Sequence, residues 1–134
     1  MKDHRGHLTK DGIRIYEQGD FADMLAAGAL AARILDDVAS HVFPGQTTGA
    51  IDGLVTQMVE DAGATSATIG YKGYQHASCI SVNHVVCHGI PGDKKLKEGD
   101  ILNIDVTVIV DGWFGDTSRM YVAGKLPREA ERLI

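Results

Sequence analysis

The chain has 134 residues, 44% of them hydrophobic and 23% charged, with a formal net charge of −5. That length suits one domain with a moderate core. The sequence has no basic run fit for a nucleic-acid face and no apolar run near the ~20 residues of a membrane span, and its polar start lacks the apolar centre of a signal peptide.

Residues 1–19 are polar and aperiodic and read as an extended or frayed arm, with His4 and His7 at the surface. Residues 20–134 read as the folded part. Asp20 is placed to N-cap a helix, and Asp23 adds a negative charge in its first turn. Phe21, Met24, Leu25, Gly28, Ala31, Ala32, Leu35, Val38 and Val42 recur at helical spacing, and Pro44-Gly45 ends the run. A second helix starts near Thr48. Ile51, Leu54, Val55, Met58, Val59 and Ala62 form its apolar stripe, and Gly63 is its stop.

From residue 64 the period changes. Gly70-Tyr71-Lys72-Gly73-Tyr74 is a glycine-punctuated loop with two aromatics. Cys79 to Val82 alternates as a strand, Val85-Val86-Cys87 reads as another short one, and His88 to Gly92 as a turn. Asp93 to Gly99 is a charged surface loop. Ile101 to Val110 is a long strand, Asp111-Gly112 a hairpin turn, and Trp113 to Val122 the return strand. Cys79 and Cys87, eight apart in strand-like sequence, read as reduced thiols of a cytosolic protein; their spacing and the lack of a second pair argue against zinc. After Gly124 the chain reads as a loop, then Pro127 in a first helical turn, then good helix formers. A helix of two turns does not hold alone in water, so the expectation is the front part of a longer protein.

The most informative residues are Asp105 and Asp116. A two-residue turn at Asp111-Gly112 sets Val110 opposite Trp113 and Thr107 opposite Asp116. Asp105 shares the parity of Thr107, so the two acids become diagonal neighbours on one face, with Cα atoms roughly 7–8 Å apart. Two carboxylates so placed can close on one or two cations, and paired ions in hydrolases sit about 3.5–4 Å apart. Thr107 then stands to hydrogen-bond a ligating carboxylate. The same spacing also fits a turn cap at Asp116 and a lysine partner for Asp105. His88, at a strand-to-turn junction, is either a structural or exposed histidine or one that polarises a carbonyl. Tyr71 and Tyr74 are either half-buried aromatics or the wall of an apolar pocket, and Cys79 either core filler or a soft pocket surface.

Taken together, Gly70–Tyr74, Cys79–Asn83, Val85–Pro91, Gly99–Thr107 and Asp111–Ser118 closely resemble the type I methionine aminopeptidases. The resemblance runs from about Phe21 to the end, and no zinc-binding extension of the eukaryotic kind precedes it. It implies an α+β chain, two helices plus an antiparallel sheet, forming the N-terminal half of a pita-bread fold, with the second half absent. It implies removal of the initiator methionine from nascent polypeptides whose second residue is small. By position, Asp105 and Asp116 match two ligands of a site for two divalent metal ions (Co, Mn, Fe or Zn). His88 matches a histidine that contacts substrate and stabilises the reacting carbonyl. Tyr71, Tyr74 and Cys79 match the pocket for the methionine side chain. The family's remaining ligands, a histidine and two glutamates, have no matching positions, because Glu129 and Glu131 stand elsewhere. The implied setting is cytoplasmic, in contact with nascent N-termini and the ribosome, as a monomer. Two other readings of the fold are a non-catalytic partner-binding scaffold and a proline-directed aminopeptidase.

Overall fold

A computed structural model describes residues 5–126, 128–132 and 134. Two helices pack on one face of a four-stranded antiparallel sheet. The first helix, α1, spans Phe21–Val38, and the second, α2, spans Thr48–Asp61. The sheet consists of β3 (Thr65–Ser66), β4 (Ser78–Val82), β5 (Asp100–Val110) and β6 (Trp113–Ala123), following a small hairpin of β1 (His7–Leu8) and β2 (Arg14–Ile15). β5 is central: β3 and β4 pair along one edge and β6 along the other.

Period-two burial sets the two faces. Leu102, Ile104, Val106 and Val108 are fully buried against the helices, while Asn103, Asp105, Thr107 and Ile109 point to the open side. The helix side is one continuous core with Ala31, Ile34, Leu35, Val38, Ile51, Val55 and Val59. Gly115 on β6 lets α1 approach backbone to backbone. A Cβ there would stand 2.2 Å from the Ala27 carbonyl oxygen.

The second helix forms as its sequence predicts. Thr47 accepts a hydrogen bond from the Ala50 amide, and Gly63 (φ +67°) turns the chain so that the Ala64 amide reaches the Val59 carbonyl. The first departs from expectation in three ways. Asp20 precedes the helix, but its carboxylate accepts from the Glu17 amide instead of capping. The buried face is Ala27, Leu30, Ala31, Ile34, Leu35 and Val38, whereas Phe21 and Leu25 are exposed. The helix also stops at Val38, and after a short 3₁₀ turn Val42 is extended.

Residues 5–19 are not frayed. Trp113, buried beside the β5–β6 turn, packs against Tyr16 with ring centroids 5.0 Å apart and the planes tilted by 56°, and lies 4.6 Å beneath the Arg5 guanidinium, which donates to the Gly112 carbonyl. One large aromatic thus fixes a polar segment that has no pattern of its own. The surface assignment of His4 falls outside the described residues, and His7 is exposed. Val85-Val86-Cys87 is not a strand: the chain from Asn83 to Pro91 is a loop, and Val86 and Cys87 are exposed. Arg128–Arg132 forms turns and no helix, and Pro127 lies outside the described residues. Among the described residues, no helix is long and apolar enough to cross a membrane.

Candidate active site

The open face of the sheet, the Tyr71 turn and the His88 loop enclose a cleft of about 610 Å³. Its lining includes Tyr71, Tyr74, Cys79, His88, Asp105, Thr107 and Asp116, which are all the residues singled out from the sequence.

The floor follows from strand register. Asp111 (φ +49°) and Gly112 (φ +81°) make the tight turn, and pairing then runs without a bulge through Val110 with Trp113 and Thr107 with Asp116. Asp105 lies opposite Ser118 on one side and Cys79 on the other, so Cys79, Asp105 and Asp116 come from three adjacent strands. Thr107 donates from Oγ1 to Asp116 Oδ1 at 2.9 Å, which fixes that carboxylate.

The walls are held by backbone geometry. Gly70, Lys72 and Gly73 all have positive φ, and this turn swings Tyr71 and Tyr74 toward the cleft. Tyr71 is largely exposed, while Tyr74 is half-buried and donates to the Ser78 carbonyl at 2.8 Å. Burial, followed by a hydrogen bond with Cys79, pushes the Tyr74 hydroxyl far up, so it remains protonated. The His88 loop is pinned at Gly89, whose carbonyl accepts from the Ile80 amide and whose amide donates to Ser81 Oγ. A Cβ at Gly89 would meet the Ile80 carbonyl oxygen at 2.2 Å. Farther along, Thr48 Oγ1 and the Gly49 amide fasten Gly92 to the start of α2. His88 itself is exposed, with φ +54°.

Burial is the largest cause raising the Asp105 pKa above its usual value; the Asp116 charge and a hydrogen bond with Asp116 add to it, against a smaller opposing pull from His88. Asp105 thus holds its proton more tightly than an ordinary carboxyl because two carboxyl groups converge, and a cation there would relieve the same repulsion. Oxygen donors suit hard or borderline divalent ions such as Mn, Fe, Co or Zn. The pair fits such ions as part of a ligand set: among the described residues, no group of three His, Cys, Asp or Glu side chains gathers as a full one.

The raised pKa has a consequence for stability. The folded state binds the Asp105 proton more tightly than the unfolded state, so this group's contribution is full below the ordinary carboxylate value and is lost as pH rises through the folded value. Where Asp105 is ionised, its carboxylate therefore opposes folding. Asp105→Asn is expected to melt a few degrees higher than the parent at pH 7 in the presence of a chelator. The gain should vanish below about pH 4, near the unperturbed carboxylate value. Calorimetry at the two pH values checks it, and an equal gain at both would show that the carboxylate pair is not its source.

Sequence reasoning missed Thr68, Lys72 and Ile90 at the rim and Asp52 behind the wall. The signal for Asp52 was present: an acid next to Ile51 and three before Val55, on the apolar stripe of α2, signals a buried charge with partners.

Fold and cleft together define the class: an α+β chain that presents paired oxygen donors and a soft wall on an open sheet face, as metal-dependent hydrolases do. Residues 22–134 match the model of metallopeptidase family M24, and the chain belongs to that family. It is 52% identical over 122 residues to a methionine aminopeptidase of Rickettsia prowazekii, covering 91% of this chain and 47% of that protein. It is 50% identical over 123 residues to the methionine aminopeptidase of Escherichia coli K12, again 47% of its length. The crystal structure of the Rickettsia enzyme superposes with a TM-score of 0.89 over 91% of this chain and 49% of the other. The chain therefore has the α+β architecture of a pita-bread protein and spans about half the length of the curated relatives it matches.

Proposed function

We propose that the chain supplies one side of the active site of a methionine aminopeptidase, which removes the N-terminal methionine from polypeptides with a small second residue. The observation that carries this reading is the cleft that joins Asp105 and Asp116 to Tyr71, Tyr74, Cys79 and His88. The half-identical relatives, all named as methionine aminopeptidases, support it and favour this specificity over a proline-directed one. A half-buried Asp105 kept facing a second carboxylate, Asp116, argues against a purely scaffolding role, because the two repel unless a cation or a proton lies between them.

Asp105 and Asp116 would hold two divalent ions, with Thr107 orienting Asp116. When bound, such a pair supplies a water of lowered pKa and Lewis-acid polarisation of the scissile carbonyl. The chain's own part is placement. Tyr71, Tyr74 and Cys79 receive the unbranched thioether side chain on a soft apolar wall. His88, exposed at the mouth, donates a hydrogen bond to the reacting carbonyl as charge develops on its oxygen. The substrates are the N-termini of nascent chains in the cytoplasm, close to the ribosome, and the complete enzyme acts as a monomer.

The test is methionine release from a Met-Ala-Ser peptide with Mn²⁺ or Co²⁺. The 134-residue chain alone should release little, because two carboxylates leave most coordination to water. The chain joined to the remaining half of the Rickettsia relative should release methionine readily. Turnover by the lone chain like that of an intact enzyme, or none from the joined one, would overturn the reading.

A further inference from the structure

Behind the cleft wall lies a buried carboxylate with no role in the metal pair. Asp52, only 7% exposed on α2, accepts from the Ser78 amide at 2.9 Å, from Ser78 Oγ at 2.7 Å, and pairs with His76 Nδ1 at 2.9 Å. Three donors converge on one buried acid, and two of them come from the fully buried Ser78.

Those donors belong to the segment that builds the wall. Ser78 immediately precedes Cys79, and its carbonyl accepts from the Tyr74 hydroxyl. The His76 ring packs edge-on against Tyr74 at 5.5 Å. The His76 carbonyl accepts from Thr68 Oγ1 at 2.7 Å, and Thr68 also lines the cleft. Tyr74 is thus bracketed by two residues that both hang on Asp52. Backbone bonds join Tyr74 to the turn before it, through the Gly70 amide and the Tyr71 carbonyl, but they do not reach α2, and β4 begins only at Ser78.

We propose that Asp52 is a positioning residue for the cleft wall: it ties the 74–79 segment to α2 and so sets where Tyr74 and Cys79 stand. Asp52 touches no reacting atom; it acts through Ser78 and His76. The step from wall to methionine pocket rests on the proposed function above, whereas the tie itself does not.

Cys79 reports on the tie. With Cys87→Ser as background it is the only thiol of a chain that has two cysteines. Its alkylation by iodoacetamide should be slow in the parent. In Asp52→Ala it should be roughly tenfold faster, the weight of one charged hydrogen bond. The rate should stay flat in urea below the unfolding transition, the mark of local opening. Asp52→Asn keeps an oxygen for Ser78 and should restore slow alkylation. Should Asp52→Ala not fold, His76→Phe, which cuts one tie at a half-exposed ring, should still speed the reaction about threefold. Unchanged rates in folded variants, or acceleration that climbs with urea as global unfolding does, would overturn the proposal. A second arm tests the pocket. In the chain joined to the remaining half of the Rickettsia relative, with alkylation read on the Cys79 peptide itself, methionine amide should slow the reaction in the parent and do so less in Asp52→Ala. No protection in the parent would sink the methionine reading and leave the Asp52 tie standing.

Discussion

Asp116→Ala is expected to lower methionine release at least about a thousand-fold when this chain is joined to the remaining half of its Rickettsia relative. Metal activation of an acyl centre is worth several kcal/mol, and each 1.36 kcal/mol is tenfold in rate. Asp116 lies diagonal to Asp105 and is fixed by Thr107 at 2.9 Å, so no neighbouring acid can take its place. Among the described residues, no third His, Cys, Asp or Glu completes a metal-holding group with the two aspartates. Thr107→Val removes only the orienting hydrogen bond and should cost 10–100-fold, the usual range for a group that steadies a ligand. Methionine release at saturating Mn²⁺ separates the two. A residual rate in Asp116→Ala within tenfold of the parent would mean that Asp116 is not a ligand.

Gly115→Ala should cost about 3 kcal/mol, the upper end of what overpacking exacts. The added methyl would meet Ala27 backbone at 2.2 Å, and backbone in mid-helix cannot step aside as a side-chain tip can. Either α1 lifts from β6 or the strand shifts, and the strand carries Asp116 in the next position. The same substitution at Gly53, exposed on α2 with nothing within 4 Å, should instead stabilise by about 0.5–1 kcal/mol through helix propensity. Urea unfolding of both variants gives the two signs. Equal effects would show that the close approach of α1 does not govern stability there.

The parts of this fold that were legible are those written in local periodicity. The α2 stripe, the Asp111-Gly112 turn and the parity of β5 each follow from neighbouring residues, and the turn alone fixes the register that brings Asp105 near Asp116. What was hidden depends on distant residues. The arm is ordered because Trp113, about a hundred positions away, gives Arg5 and Tyr16 a surface. Val85-Val86-Cys87 has strand composition, but the loop is held by Gly89 on Ile80 and Ser81 and by Gly92 on Thr48, so the segment joins no strand; the Val85 amide only closes a turn onto the Val82 carbonyl, and Val86 and Cys87 stay exposed. On α1, the small residues hid which stripe faces the sheet. Gly115 settles that by letting Ala27 approach, and Leu25 is turned outward.

The site divides the same way. The two aspartates were legible from turn register and strand parity, the roles of Tyr71, Tyr74, Cys79 and His88 came from resemblance to a family, and the cleft gathers all six. The Cys79–Asp105 pairing across β4 and β5 and the Asp52 tie behind the wall needed the fold. Neither is a spacing signal, because each joins residues 24 or 26 positions apart.

Asp105 and Asp116 should act together as a cation-binding pair. Titrating the ¹⁵N-labelled chain with Mn²⁺ tests it most directly, since the ion broadens amide signals near its binding site. Broadening should begin at Asp105, Thr107 and Asp116, reach Cys79 across the strand, and disappear when both aspartates are changed to asparagine. Broadening spread over the surface acids, or unchanged by that double substitution, would contradict the account.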